Sequence, residues 1–311
     1  MVSALKQLPV SISCVVAVSD SGGSTGRIRD EFGFLSVGDL RQSLAALADD
    51  SSQEWIKKIL LYRFSKGAGL SGHNLGNLIL TALQDMTSSS TQALEIAQKV
   101  FKLRGRVLPV TETAVDLVIS YANGEQRVGE DQLNEHLTDQ PPSITKVHLQ
   151  PDCRLAESAR EALIETDYII IGPGGYYSSL MAALVVPGMA ETLQRTQAKV
   201  VYSTNLMTRF TQTHSMTAAQ HRQGIESTIG RPVDIVLMNN QPIPAPVLTH
   251  YATEHEFPVV DDLPQNDSHV VRAPLLSTNL FTPNQVDTVY RSLLRHDPQS
   301  LVAVLKQILH L

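Results

Sequence analysis

"VVAVSDSGGSTGRIRDEFGFLSVGDLR", residues 15–41, begins as a buried strand and then breaks. Val15 to Val18 are apolar, and the following positions run Ser19, Asp20, Ser21, Gly22, Gly23, Ser24, Thr25, Gly26 and Arg27. Glycine lets a backbone approach a ligand closely. Consecutive amides leading into a helix N-terminus suit an anion. Ser24, Thr25 and Arg27 add donors for a phosphate, and Asp20 suits a metal ion or a sugar hydroxyl. The loop lacks the Gly-Lys-Ser/Thr ending of a Walker loop, and it is not a G-x-G-x-x-G fingerprint. A flexible strand-to-helix connection is the alternative.

Working outward, three more apolar runs share this design: "DYIIIG" (167–172), "AKVVYSTN" (198–205) and "VDIVLMNN" (233–240). With "SCVVAVS" (13–19) they read as strands buried on both faces of a parallel sheet. Each ends in small or polar residues, and open α/β sheets bind ligands beyond the carboxyl ends of their strands. Helical patterns fill the gaps at 38–49, 54–64, 73–86, 90–103, 154–166 and 178–195. A C-terminal helix follows Asp297, its cap, and Pro298. Residues 106–150 break the rhythm. An Asn-Gly turn between alternating runs predicts a β-hairpin, read here as an antiparallel insert on the main sheet of a single domain spanning 1–311.

The composition is that of an ordinary globular chain, with 42% apolar and 18% charged residues among 311. A formal charge of −6, with no block of Lys and Arg, argues against a nucleic-acid surface. Cys14 and Cys153 fit no disulfide framework and no zinc spacing. No run approaches a membrane span, and no signal peptide is visible, so the expected compartment is the cytoplasm.

Three further segments carry candidate chemistry. In "SVGDLR", Asp39 is placed as a helix cap and Arg41 sits in the first turn. The helix dipole disfavours a cation there, so Arg41 is expected to face an acid or a phosphate; a solvated arginine is the alternative. In "GAGLSGHNLGN" (67–77), His73 opens a helix whose outer face carries Asn74 and Asn77. In "IGPGGYYSSL" (171–180), Gly172, Gly174 and Gly175 allow close approach, Ser178 and Ser179 start a helix, and Tyr176 or Tyr177 can stack on a base or sugar. A tight turn with caps would read the same way. No nucleophile elbow, metal-spaced cluster or general base of tuned pKa stands out.

In this order and spacing, "VSDSGGSTGRIR", "GDLRQSLAAL", "LSGHNLGNLIL" and "IGPGGYYSSL" closely resemble the YvcK-like branch of the CofD superfamily. The resemblance extends through "VYSTNLMT" and "NNQPIPAPVLTHY". It implies a Rossmann-like, mostly parallel sheet flanked by helices, and a UDP-sugar ligand such as UDP-N-acetylglucosamine. It also implies a role in growth on gluconeogenic carbon sources and in cell shape, and a homodimer. The sister branch transfers a phospholactyl group from a nucleotide diphosphate with a metal ion, Mg²⁺ being the candidate here and Asp20 its candidate ligand. The resemblance strengthens His73 and Asn77 and adds Asn205, Tyr251 and Arg295 as candidate contacts.

Two departures accompany it. The family opens with a strand and a Gly-Gly-Gly-Thr-Gly loop, whereas "SALKQLPVSISCVVAVSD" reads as the end of the first helix joined to the second strand. The first strand and its loop are therefore expected to be missing from this sequence, leaving a neighbouring strand edge exposed. In addition, Ser21 stands where a second carboxylate or an Asn is usual.

Overall fold

The computed structural model of the chain describes residues 1–48, 54–134, 141–280 and 292–311. All four predicted strands form. The first is β1 (Ser13–Val16), paired in parallel with β2 (Arg106–Pro109). The other three are β6 (Tyr168–Ile171), β7 (Lys199–Ser203) and β8 (Ile235–Asn239), which join β9 (Val270–Ala273) in a parallel sheet of order β6-β7-β8-β9. Between them in sequence, β3 (Asp116–Tyr121) pairs antiparallel with β4 (Gln126–Val128) and with β5 (Ile144–Gln150).

The predicted hairpin turns at Asn123-Gly124, with Gly124 at φ 85°. The antiparallel part starts at Asp116 rather than at 106. Arg106–Pro109 belongs to the parallel ladder, because Arg106 N–H donates to the carbonyl of Ile12, just ahead of β1, and Val110 N–H to that of Val16. The hairpin also forms its own three-stranded sheet instead of extending the parallel one.

The strand faces explain the apolar runs. In β7, Val200 and Tyr202 are buried in the main core with Leu40, Leu44 and Leu117. Val201, facing the other way, packs with Ala4, Leu8, Leu237, Leu301 and Leu305. Each fully buried Leu contributes roughly 1.5–3 kcal/mol relative to exposure.

Ten helices of seven residues or more cover the described sheets: α1 (Gly23–Phe32), α2 (Gly38–Leu47), α3 (Glu54–Leu61), α4 (Leu75–Thr87), α5 (Ser90–Phe101), α6 (Glu157–Glu165), α7 (Met189–Arg195), α8 (Ala218–Ile229), α9 (Ala245–Thr253) and α10 (Pro298–Ile308). The single helix expected at 178–195 is broken. A π-turn at Tyr176–Met181 leads to a short helical turn, and the chain then bends at Pro187 and at Gly188, whose φ is 96°, before α7. Asp297 caps α10 as expected, accepting from Ser300 N–H at 2.7 Å. No described helix is long and apolar enough to cross a membrane.

Candidate functional site

The carboxyl ends of β1, β6 and β7 open on one cavity of about 720 Å³, within the size range of small-molecule sites. The loop after β1 supplies Asp20, Gly22, Ser24 and Thr25. α2 supplies Asp39 and Arg41, and α4 supplies Asn77. Facing them, the loop after β6 gives Gly174, Gly175 and Ser178, β7 leads to Asn205, and Arg295 closes the rim.

The first wall is held together by its own side chains. The Asn77 amide donates to Thr25 Oγ1 (3.2 Å) and Ser24 Oγ (3.4 Å), while its Oδ1 accepts from Arg41 Nε at 2.7 Å. Arg41 Nη1 also donates to the Leu60 carbonyl at 3.2 Å. The cation at the helix start is therefore buried and answered from within the chain, with the Asp20 charge close by. Asp20 accepts the Gly22 N–H at 2.8 Å. Its carboxyl is raised above the usual range, first by desolvation, against the pull of the Gly22 and Thr25 hydrogen bonds and of Arg41. A Cβ at residue 38 would lie 2.1 Å from Asp20 Oδ2 and 2.8 Å from Thr25 Oγ1, so Gly38 is what lets α2 approach the loop.

Two local expectations are corrected. Asp39 does not cap α2, whose N-cap is Val37; it lies in the first turn, where its Oδ2 accepts from Ser179 Oγ at 3.3 Å. Asn74 and Asn77 are not on an outer face. Asn74 is the N-cap of α4, accepting from Gly76 and Asn77 N–H, and both asparagines are buried.

Some sequence candidates stand beside the cavity instead of lining it. Gly23 begins α1. Arg27 is exposed. His73 Nδ1 meets Ser24 Oγ at 3.2 Å, and burial followed by the Arg27 charge lowers its pKa. Gly172, at φ 80°, borders a neighbouring cleft. Tyr177 packs on the core, whereas Tyr176 reaches the cavity. Tyr251 is buried. Its hydroxyl accepts from Leu294 N–H at 2.9 Å and bonds Ser292 at 2.8 Å, so it positions two lining residues.

The second wall holds residues that the sequence did not signal. Arg209, Gln212, Ser292 and His296 line it. Asn205 Nδ2 donates to the Gly174 carbonyl at 2.8 Å, which leaves Oδ1 buried with no hydrogen-bond partner among the described residues. His296 Nε2 is likewise unpartnered. Burial, with the nearby Met1 amine, pushes the His296 pKa down to about 4, so its ring is neutral at neutral pH.

The insert reaches the cavity too. Gly129, at φ 105°, turns the chain after β4, and Glu130 and Asp131 then line the cavity. Ser21 Oγ donates to Asp131 Oδ1 at 2.7 Å. The Glu130 carboxyl is raised well above its usual range by desolvation and by the Asp20 and Asp39 charges, with Ser178 pulling the other way. Asp20, Asp39, Glu130 and Asp131 thus share one cavity with Arg41, and Glu256 lines it as a fifth carboxylate. No three His, Cys, Asp or Glu side chains among the described residues converge to hold a metal ion by themselves. The chemistry available is a desolvated acid pair, helix N-terminal amides and two open hydrogen-bonding atoms.

The chain matches the family model described as 2-phospho-L-lactate transferase CofD over residues 1–276. It is 36% identical over 304 residues to the "Putative gluconeogenesis factor" of Nostoc sp., covering 97% of this chain and 64% of that protein. The corresponding Deinococcus radiodurans relative is 33% identical, with 63% of its length covered. The chain therefore spans a little under two thirds of these relatives. It is also 33% identical to the "Gluconeogenesis factor" of Bacillus subtilis, covering 98% of this chain and 92% of that protein. A crystal structure of a upf0052 family protein from Bacillus halodurans superposes with a TM-score of 0.87 at 32% identity, over 99% of this chain and 94% of that one.

Proposed function

This chain belongs to the CofD family, and from that premise we propose that it is a protein of the gluconeogenesis-factor kind that binds a UDP-sugar and acts as a regulatory binder in the cytoplasm. The observation that carries the reading is the shared cavity at the ends of β1, β6 and β7. Amides at the start of α1 and α2 suit a diphosphate. Asn205 Oδ1 and His296 Nε2 offer an acceptor and a neutral ring nitrogen to the uracil or sugar. A buried, unpartnered polar atom is costly unless something completes it. Titration calorimetry with UDP-N-acetylglucosamine tests the reading. Saturable binding with the nucleotide sugar recovered unchanged supports it, and absence of any nucleotide binding overturns it.

A metal-dependent transferase is the second reading, favoured by Asp20, Asp39, Glu130 and Asp131 around one cavity. Magnesium is often held by one or two carboxylates together with substrate phosphates, so the diphosphate would complete what Asp20 and Asp39 begin. Incubation with Mg²⁺ and a nucleotide-diphosphate donor discriminates the two. A transferred product that disappears in Asp20→Asn would favour the transferase.

A further inference from the structure

The segment from α3 to the loop ahead of α4 differs in charge from the rest of the chain. Residues 54–72 carry four basic side chains, Lys57, Lys58, Arg63 and Lys66, and the single acid Glu54, on a chain of formal charge −6. In the same segment Trp55, Leu61, Tyr62 and Leu70 are exposed. Scattered exposed apolar side chains are ordinary, whereas a group of them marks a contact surface. The backbone builds that group. Leu60 is buried and Ile56 packs on the main core, so the opposite face of α3 looks outward. Tyr62 N–H donates to the Ile59 carbonyl at 3.3 Å, which carries the helical turn on to Tyr62. Trp55 and Tyr62 are then about two turns apart and share one side. Lys58 lies between them, its Nζ 4.9 Å from the Trp55 ring centroid. The Tyr62 ring meets Phe64 edge-on at 5.1 Å. Phe64 holds the loop that follows: its N–H donates to the His73 carbonyl and its carbonyl accepts from Gly72 N–H, both at 2.9 Å. Arg63 Nη1 donates to the Gly72 carbonyl at 2.8 Å. Residues 65–71 are thus folded back beside the aromatic pair, and they present Lys66 and Leu70 to solvent.

Trp and Tyr rings settle where an apolar phase meets water. Lysines lay their apolar stems on such a boundary and keep the ammonium in water. The basic excess of the segment, set against the acidic chain, selects an anionic surface. α3 has eight residues, about 12 Å, far short of the roughly 30 Å hydrocarbon core of a bilayer, so a helix of this composition lies on the surface. We infer that Trp55, Leu61, Tyr62 and Leu70, together with Lys57, Lys58 and Lys66, dock this face on an anionic lipid bilayer. The apolar side chains enter the headgroup layer and the lysines meet the lipid charges. Glu54 does not oppose the contact, because its Oε1 is taken by Lys58 Nζ at 2.7 Å. Arg63 belongs to the same segment and also lines the ligand cavity, so the docking face adjoins the ligand site.

Trp55 is the only tryptophan of the chain, so tryptophan emission reports on this face alone. The test titrates the 311-residue chain with vesicles of equal parts phosphatidylglycerol and phosphatidylcholine, and with vesicles of phosphatidylcholine alone. Emission should move to shorter wavelength with the anionic vesicles, and the shift should fade in high salt. A triple variant, Lys57→Gln with Lys58→Gln and Lys66→Gln, should partition about a hundredfold more weakly, each lysine near an anionic surface being worth about fivefold. Leu70→Ser keeps every charge and should weaken partition about tenfold. These side chains are exposed, so both variants should melt with the parent. Four outcomes overturn the inference. They are no shift, equal partition into neutral and anionic vesicles, an equal shift with soluble polyglutamate, which would mean an acidic protein partner, or a shift that grows with protein concentration alone, which would mean a second copy. No nucleotide enters the measurement, so it stands or falls independently of the proposed ligand.

Discussion

The two walls of the cavity solve the same problem in opposite ways. On the β1 side, Ser24, Thr25, Asn77 and Arg41 spend their hydrogen bonds on one another, under a ladder of only two described strands. On the β6 side, a continuous four-stranded ladder supplies rigidity, and Asn205 and His296 each keep one buried atom open. Where the sheet is thin, side chains make the scaffold. Where the sheet is broad, they keep hydrogen-bonding atoms open. The first wall should therefore be sensitive in stability and the second in binding.

The sharpest way to break that contrast is Arg41→Ala. It leaves Asn77 Oδ1 and the Leu60 carbonyl without their donor and Asp20 without its nearby cation. Removing one partner of a buried charged group costs about 3–5 kcal/mol, so urea unfolding should show a loss of that size. A loss under about 1 kcal/mol would mean that the first wall is not self-supporting.

Asn205→Ala probes the second wall. It removes one hydrogen bond to Gly174, worth roughly 0.5–1.5 kcal/mol, together with the open acceptor. Stability should fall only by that amount, while UDP-N-acetylglucosamine affinity should drop at least tenfold, about 1.4 kcal/mol. Equal affinity in both proteins would remove Asn205 from the site.

Glu130→Gln should separate the walls by pH. Desolvation and the Asp20 and Asp39 charges raise the Glu130 pKa above its ordinary 4.5. The folded chain therefore holds that proton more tightly than the unfolded chain does. The associated stability is complete below the unfolded value and is lost as pH rises through the folded one. Glu130→Gln should stabilise the fold at pH 8 by on the order of 1 kcal/mol, read as a raised melting temperature, and leave it unchanged near pH 4. A destabilisation at pH 8 would contradict the repulsion.

The smallest effect belongs to neither wall. Trp55 is 74% exposed on α3, with Lys58 Nζ 4.9 Å from its ring centroid. Trp55→Ser should change stability by less than about 0.5 kcal/mol and leave ligand affinity untouched, as thermal melts and calorimetry would show.

Much of this contrast was legible in the sequence. Apolar runs ending in small polar residues mark β1, β6, β7 and β8, because parallel strands are covered on both faces and their ends face the ligand. Asp20, Ser24, Thr25 and Gly174 follow directly from that pattern. Glu130 and Asp131 do not, since Asp131 lies 110 residues from Ser21 in sequence and both reach the cavity only through the insert. The Gly129-Glu130-Asp131 run after the hairpin was the available signal. The inward turn of Asn77 was misread because its polarity suggested solvent, whereas Arg41 and Thr25 supply its partners inside. Arg209 and His296 carry no local pattern, as their place is set by loops that meet only in the fold.

Convergence of both walls on one ligand is best tested by a hydrogen-exchange footprint with and without saturating UDP-N-acetylglucosamine. Protection should appear together at Gly22–Thr25, at Gly174–Ser179 and at Asn205. Protection confined to one wall, or absent from both, would contradict the account.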